Sequence, residues 1–161
     1  MENLGITASL MHMPQQKTRM MKKNKLFLEL ETFYSQWPKH DIKIVLADFN
    51  AKVGKEGNNY PHAGRNGLHE VCNGNGNKLV QFAAATDMII GGTIFAHKDI
   101  HKVTWRSPDR GTMNQIDYVL IQNHHTCNLR DVRCKRGVNV DSDHHLVVDE
   151  IHATISTNRI Q

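Results

Sequence analysis

Three short segments of the sequence combine an aspartate with a polar or basic neighbour. They are Asp48-Phe49-Asn50, Gln115-Ile116-Asp117-Tyr118 and Ser142-Asp143-His144. An aspartate at the end of an apolar strand is costly to desolvate, so each needs a partner, a metal ion or water. Taken alone, such an aspartate is usually a turn or cap residue. Several that converge on one pocket would form a site for a hard cation such as Mg²⁺, which prefers carboxylate oxygens.

The apolar patterning predicts the elements that must position these residues. Apolar spacings of three and four predict a helix over Met20–Trp37, ended by Pro38. The run Ile42–Ala47 predicts a strand buried on both faces, with Asp48 at its end. Gly54–Gly76 predicts a long irregular loop. We expect a helix over Lys78–Thr86 and strands over Ile6–His12, Met88–Ile90, Lys102–Trp105, Gln115–Ile121, Leu129–Cys134 and Leu146–Ile155.

Four motifs occur in an order that resembles a known superfamily. Asp-Phe-Asn, then Thr104-Trp105, then Ile-Asp-Tyr, then Ser-Asp-His resembles the signature of the endonuclease/exonuclease/phosphatase superfamily. The surrounding sequence is closer still to LINE-type retroelement endonucleases and their craniofacial-development-protein-2-like descendants. Ala47–Gly54 looks like that group's Gly-Asp-Phe-Asn-Ala-Lys-Val-Gly, and Asn75–Leu79 like its Asn-Gly segment. The resemblance runs from about Ile6 to Val148.

The resemblance implies a role for each matching residue. Asp48 would orient or deprotonate the attacking water, and Asn50 would hold the scissile phosphate. His144 would contact the phosphate, with Asp117 orienting its imidazole. Asp143 would be a metal-side carboxylate. The pair of Asp117 and His144, called the dyad below, makes chemical sense. A carboxylate on one ring nitrogen favours the imidazolium that stabilises charge on a phosphorane.

Three further positions are implied more weakly. Thr104 and Trp105 would lie near the catalytic pocket and contact substrate, although a core role for Trp105 is at least as reasonable as DNA contact. His12 would protonate the leaving oxygen. Its match is a single residue before a proline, so a plain exposed histidine is an equal alternative.

The resemblance also implies a fold and two departures from it. The expected fold is an α/β four-layer sandwich, with two packed β-sheets flanked by helices, DNase I-like and truncated at the N-terminus. Residues 1–161 would form a single, partial domain. Ala47 stands where the family usually has glycine. The family's upstream glutamate metal ligand has no match, so we expect an incomplete metal site, and uncovered sheet edges that favour self-association.

The predicted function is Mg²⁺-dependent hydrolysis of a nucleic-acid phosphodiester, with Mn²⁺ able to substitute and DNA the expected substrate. A catalytically impaired retroelement remnant that keeps the fold is the alternative. The 161 residues carry a net charge of +4, which suits a polyanion without requiring one. Three cysteines without Cys-x-x-Cys spacing and the lack of an apolar leader predict an intracellular protein, nuclear or cytoplasmic, that does not enter membranes.

Two other kinds of site, a Ser/His/Asp relay and a zinc site, fit the sequence poorly. The contiguous Ser142-Asp143-His144 cannot readily form a Ser/His/Asp relay, and no Gly-x-Ser-x-Gly elbow is present. His124, His125 and Cys127 have the ligand types of a zinc site but no spaced second pair.

Overall fold

The computed structural model describes residues 6–10, 21–38, 41–56, 61–135 and 142–152. His12 lies outside these ranges, so its proposed role stays a prediction. The described residues form two α-helices, α1 (Met21–Gln36) and α2 (Gly74–Ala85). Their strands are β1 (Ile6–Leu10), β2 (Ile42–Asp48), β3 (Met88–Ile90), β4 (Trp105–Arg106), β5 (Met113–Asn114), β6 (Asp117–Gln122), β7 (Leu129–Lys135) and β8 (Leu146–Ile151).

A mixed sheet with the strand order β1-β2-β6-β3 forms the centre of the fold. β1 is parallel to β2, whereas β2 and β3 both run antiparallel to β6. Successive side chains of a strand point to opposite faces. Accordingly Val45, Tyr118 and Leu120 belong to one buried cluster, and Ile44 and Val119 belong to another. The prediction that the β2 strand is buried on both faces is therefore correct.

Each face of the sheet is covered by a different layer. Both described α-helices cover the first face, where Leu26, Phe27, Leu79 and Phe82 are buried against the sheet. The antiparallel pair β7–β8 covers the second face, with Leu129 and Val132 buried and β8 contributing partly buried residues. A helix layer and two packed sheets are thus present in the described residues. None of their helices is long and apolar enough to cross a membrane.

Two elements begin three or more residues away from their predicted starts. Helix α2 begins at Gly74 rather than Lys78, because the Asn73 side chain caps it by accepting from the Gly76 backbone N–H. The strand expected over Lys102–Trp105 is only Trp105–Arg106, preceded by a 3₁₀ turn at Asp99–His101. Glycine-rich composition concealed the first boundary, since glycine is unfavourable inside a helix unless packing requires it.

Packing at the start of α2 leads to opposite expectations for two of its glycines. Gly74→Ala should stabilise the fold by up to about 1 kcal/mol, because a Cβ there meets nothing within 4 Å and alanine is the better helix former. Gly76→Ala should destabilise it by about 1–3 kcal/mol, because the Cβ would collide with the Lys52 carbonyl. Urea unfolding of both variants measures the difference. Equal effects of the two substitutions would contradict the packing.

Candidate active site

Asp48 and Asp117 lie directly opposite each other in the central sheet. Asp48 is the last residue of β2, Asp117 is the first of β6, and the antiparallel register pairs them. Two carboxylates therefore leave the sheet at the same edge. The Asp48 side chain is 43% exposed and that of Asp117 is 19% exposed, so the first is the one that solvent or a ligand reaches more easily.

His144 connects the two aspartates. Its Nδ1 lies 3.2 and 3.1 Å from the two carboxylate oxygens of Asp117. Its Nε2 lies 4.0 Å from Asp48 Oδ2. The contact between Asp117 and His144 that the sequence predicted is therefore present, and Asp48 faces the other side of the same ring.

Thr104 and Trp105 hold the His144 segment and the start of β6 in place. Thr104 Oγ1 is buried and accepts from the backbone N–H groups of Ile116 (2.9 Å) and Asp117 (3.1 Å). The Thr104 carbonyl accepts from the His145 N–H at 2.7 Å. Trp105 forms a β-bridge with His144, and its indole Nε1 donates to Asp143 Oδ2 at 2.6 Å. Both side chains thus lie at the site, where Thr104 contacts the start of β6 and Trp105 contacts Asp143.

Asn50 follows Asp48 in an unusual backbone conformation. Its φ is +48°, in the left-handed region, which asparagine tolerates better than most residues. Its backbone N–H donates to Asp48 Oδ1 at 2.8 Å. The intervening Phe49 is buried and stacks on Phe27, so this turn is anchored in the core. Asn50 itself is exposed beside the two aspartates.

Solved structures with related folds match most of the chain. The endonuclease domain of TRAS1, a telomere-specific non-LTR retrotransposon, matches with a TM-score of 0.55 and 14% identity over 82% of this chain and 52% of that one. The 3'-5' exonuclease NExo from Neisseria meningitidis matches with a TM-score of 0.56 and 19% identity over 82% of this chain and 54% of NExo. The 3' phosphatase NExo bound to a product DNA hairpin gives a TM-score of 0.54, with 18% identity over the same shares.

The fold is that of the DNase I-like nucleases. Comparison of the sequence alone gives the following matches. No known protein-family profile matches the chain. Craniofacial development protein 2 of Tragulus javanicus and of Bos taurus are each 29% identical over 125 residues. The match covers 77% of this chain, which spans about a fifth (21%) of the length of those relatives.

Electrostatics in this site raise the pKa of His144. The hydrogen bond that His144 donates to Asp117 is the main cause, and it outweighs partial burial, which acts in the opposite direction. Because the folded-state pKa lies above the ordinary 6.5, the interaction stabilises the fold fully below pH 6.5. That stabilisation is lost as the pH rises through the raised pKa. The imidazolium form is therefore favoured nearer to neutral pH than in a free histidine.

The pKa of Asp48 is raised as well, for a different reason. Burial is the main cause, and the negative charge of Asp117 is the next, whereas the Asn50 N–H opposes the shift. A carboxylate with a raised pKa is a better proton acceptor than an ordinary aspartate. Asp48 therefore has the properties of a general base, and His144 those of a cationic hydrogen-bond donor.

The carboxylates of the site offer oxygen ligands of the kind that a Mg²⁺ ion requires. Among the described residues, Asp48, Asp117 and His144 bring potential ligand atoms within 4.8 Å of one another. Both Asp117 oxygens contact His144, however, and a raised histidine pKa opposes ligation, which needs neutral imidazole. Asp48 and Asp143 each keep one carboxylate oxygen outside the hydrogen bonds described above. Mg²⁺ commonly binds through one or two carboxylates, water and substrate phosphate, so the free oxygen of Asp143 suits it, whereas the free oxygen of Asp48 faces His144.

No role was predicted from the sequence for Gln115 or His69. These two residues connect the long loop after β2 to the start of β6. Gln115 Oε1 accepts from the Leu68 N–H at 2.9 Å, and its Nε2 donates to the Gly92 carbonyl at 3.1 Å. The Gln115 N–H donates to His69 Nε2 at 3.1 Å. Gln115 is buried although it is polar, and this burial is the property that marks it. No local sequence pattern predicts such long-range contacts.

Replacing Asp117 by Asn should lower the pKa of His144, because it removes the negative charge and leaves only a neutral, weaker acceptor for the principal hydrogen bond. Asp143→Asn is the matched control and should lower it less, since the Asp143 charge is the smallest of the contributing causes. Proton NMR titration of the imidazole resonances measures both, with a His144→Gln spectrum to assign the signal. An unchanged pKa of His144 in Asp117→Asn would contradict the assigned interaction between Asp117 and His144.

Asp48→Asn should stabilise the fold at pH 7, because partial burial and then the charge of Asp117 disfavour the ionised carboxylate, while asparagine keeps the acceptor for the Asn50 N–H. The gain should stay below about 1 kcal/mol, since the carboxylate is partly solvated. It should vanish below pH 3.8, where the aspartate is protonated in the folded and unfolded states alike. Denaturant unfolding across this range tests it, and a loss of stability at pH 7 would contradict the assigned repulsion.

Proposed function

We propose that this chain carries the phosphate-binding and proton-transfer residues of a Mg²⁺-dependent nucleic-acid phosphodiesterase, with DNA as the substrate. The observation that carries the proposal is the placement of His144, whose Nδ1 contacts Asp117 while its Nε2 faces Asp48. In its protonated form, a histidine held in this way presents its Nε2–H outward, toward a phosphate bound beside Asp48.

In the proposed reaction, Asp117 fixes the ring of His144 through Nδ1. The outward Nε2–H donates to a non-bridging phosphate oxygen and stabilises the negative charge that develops on the phosphorane. Asp48 accepts a proton from the water whose oxygen forms the new P–O bond in line with the leaving oxygen. The exposed Asn50 amide donates to a second phosphate oxygen. His12 remains the predicted donor of a proton to the leaving group.

Asp143 is the residue that would hold Mg²⁺, for which Mn²⁺ could substitute, while the free oxygen of Asp48 serves as the proton acceptor. The ion would supply Lewis-acid stabilisation of charge on the phosphate. Trp105 contributes indirectly, because its indole holds Asp143 Oδ2 and so orients the carboxylate. The Asp143 charge also contributes to the raised pKa of Asp48, which indicates that the two carboxylates lie close enough to interact.

The comparisons support the choice of substrate class. One matching structure is a retrotransposon endonuclease domain and another was solved with a product DNA hairpin. The similarity to a retrotransposon endonuclease domain also supports the proposal of a retroelement origin. The net charge of +4 is compatible with a polyanionic substrate.

A second candidate follows from the sparse donor set. In the described part of the chain, Asp143 is the one carboxylate proposed to bind the ion, and a single carboxylate holds Mg²⁺ weakly unless the substrate completes the shell. A catalytically impaired remnant that keeps the fold and binds nucleic acid is therefore the alternative. The two candidates differ in turnover.

Supercoiled plasmid nicking by the purified chain tests the proposal. Nicking should be slow at ordinary Mg²⁺, increase with raised Mg²⁺ or with Mn²⁺, and stop in EDTA. Asp48→Ala and His144→Ala should each reduce it by about 100-fold or more, because each removes a proton-transfer or charge-stabilising group. His124→Ala is the matched control, since His124 is exposed and follows the far end of β6.

Nicking that persists in both site variants would refute the assignment of the site. DNA binding without nicking at any Mg²⁺ or Mn²⁺ concentration would favour the impaired remnant.

A further inference from the structure

Asn75 contacts the turn that carries the candidate site, although it lies 25 residues further along the chain. It is buried in the first turn of α2. Its Nδ2 donates to the Asn50 carbonyl at 2.8 Å and lies 3.5 Å from the Phe49 carbonyl. Both partners are acceptors, so the amide nitrogen and not the oxygen must face them.

This contact completes the restraint of the Asn50 backbone. Asn50 has a φ of +48°, a conformation that costs energy for a residue with a side chain and needs support from its surroundings. Asp48 Oδ1 accepts from its N–H, and Asn75 donates to its carbonyl. The backbone is therefore held on both sides, which fixes the direction in which the exposed Asn50 side chain leaves the turn.

We propose that Asn75 is a positioning residue for Asn50, which holds the Asn50 amide in the orientation that binds the scissile phosphate. The proposal rests on the proposed function, because it assigns Asn75 a role in that reaction. Asn75 is buried behind the turn, so it acts through the Asn50 backbone. A misplacement of about 1 Å at a reacting centre can cost about 100-fold in rate, so a restraint of this kind has a large effect on turnover.

The neighbouring Asn73 provides a control of the same residue type. It uses its oxygen, since Oδ1 accepts from the backbone N–H groups of Lys52 (3.0 Å) and Gly76 (2.7 Å). Aspartate at position 73 keeps this acceptor and adds a charge that is favourable at a helix N-terminus. Aspartate at position 75 replaces the donor by an oxygen that faces two carbonyl oxygens. The same Asn→Asp change should therefore be harmless at one position and damaging at the other.

The first measurement is the rate of DNA nicking. Asn75→Asp should lower kcat by up to about 100-fold, whereas Asn73→Asp should leave kcat unchanged. In an Asn50→Ala background, Asn75→Asp should have little further effect, because the group that it positions is gone. An equal loss in both backgrounds would overturn the proposal in favour of a purely structural role. Asn75→Ser removes the amide without adding a charge, and thermal unfolding establishes that each variant is folded.

The second measurement does not need turnover. In ¹⁵N-labelled chain titrated with inorganic phosphate, the Asn50 side-chain amide signal should move in the wild type and in Asn73→Asp, and should not respond in Asn75→Ser. An equal response in Asn75→Ser would overturn the proposal. If no variant nicks DNA but the phosphate response is lost only in Asn75→Ser, the proposed function fails and the positioning role stands. If the wild type nicks DNA and Asn75→Asp nicks equally well, the proposed function stands and the positioning role of Asn75 fails.

Discussion

The repulsion between Asp48 and Asp117 is the constraint on which the site depends. The register of β2 and β6 places these carboxylates opposite each other, and two like charges across a strand pair are unfavourable. His144 lies where it can offset both, because each of its ring nitrogens faces one of the aspartates. The segment that carries His144 is therefore needed for the electrostatic balance of the sheet edge as well as for chemistry.

The rest of the described structure arranges this edge. Thr104 uses one hydroxyl to hold the start of β6 and its carbonyl to hold the His144 segment, so the two halves of the dyad share an anchor. On the opposite strand, Phe49 places the turn after Asp48 in the core. The N-terminus of α2 then supports that turn through Asn75, whereas Asn73 caps the helix. The candidate-site residues Asp117, Asp143 and Asn50 are thus each held by a residue from a distant part of the chain.

Much of this arrangement could be predicted from the sequence, and the remainder could not, for identifiable reasons. The buried strand at Ile42–Ala47 was predictable because apolar runs report burial directly. The meeting of Asp48, Asp117 and His144 was predictable through the order of the motifs, since spacing alone does not reveal which strands pair. The start of α2 was missed because its first turn contains two glycines and two capping or buried asparagines. The contacts of Gln115 and Asn75 join distant parts of the chain, and no local pattern encodes them.

The attachment of the His144 segment also bears on how the protein folds. Its contacts join residues far apart in the chain, with Asp143 38 positions from Trp105 and His144 27 positions from Asp117. Closing such loops costs chain entropy, which is recovered only when the final contacts form. The central sheet gains most of its stabilisation from buried apolar strands, whereas the dyad adds polar contacts at its edge. The dyad should consequently assemble after the sheet, so a chain can be compact and largely structured before it acquires a working site.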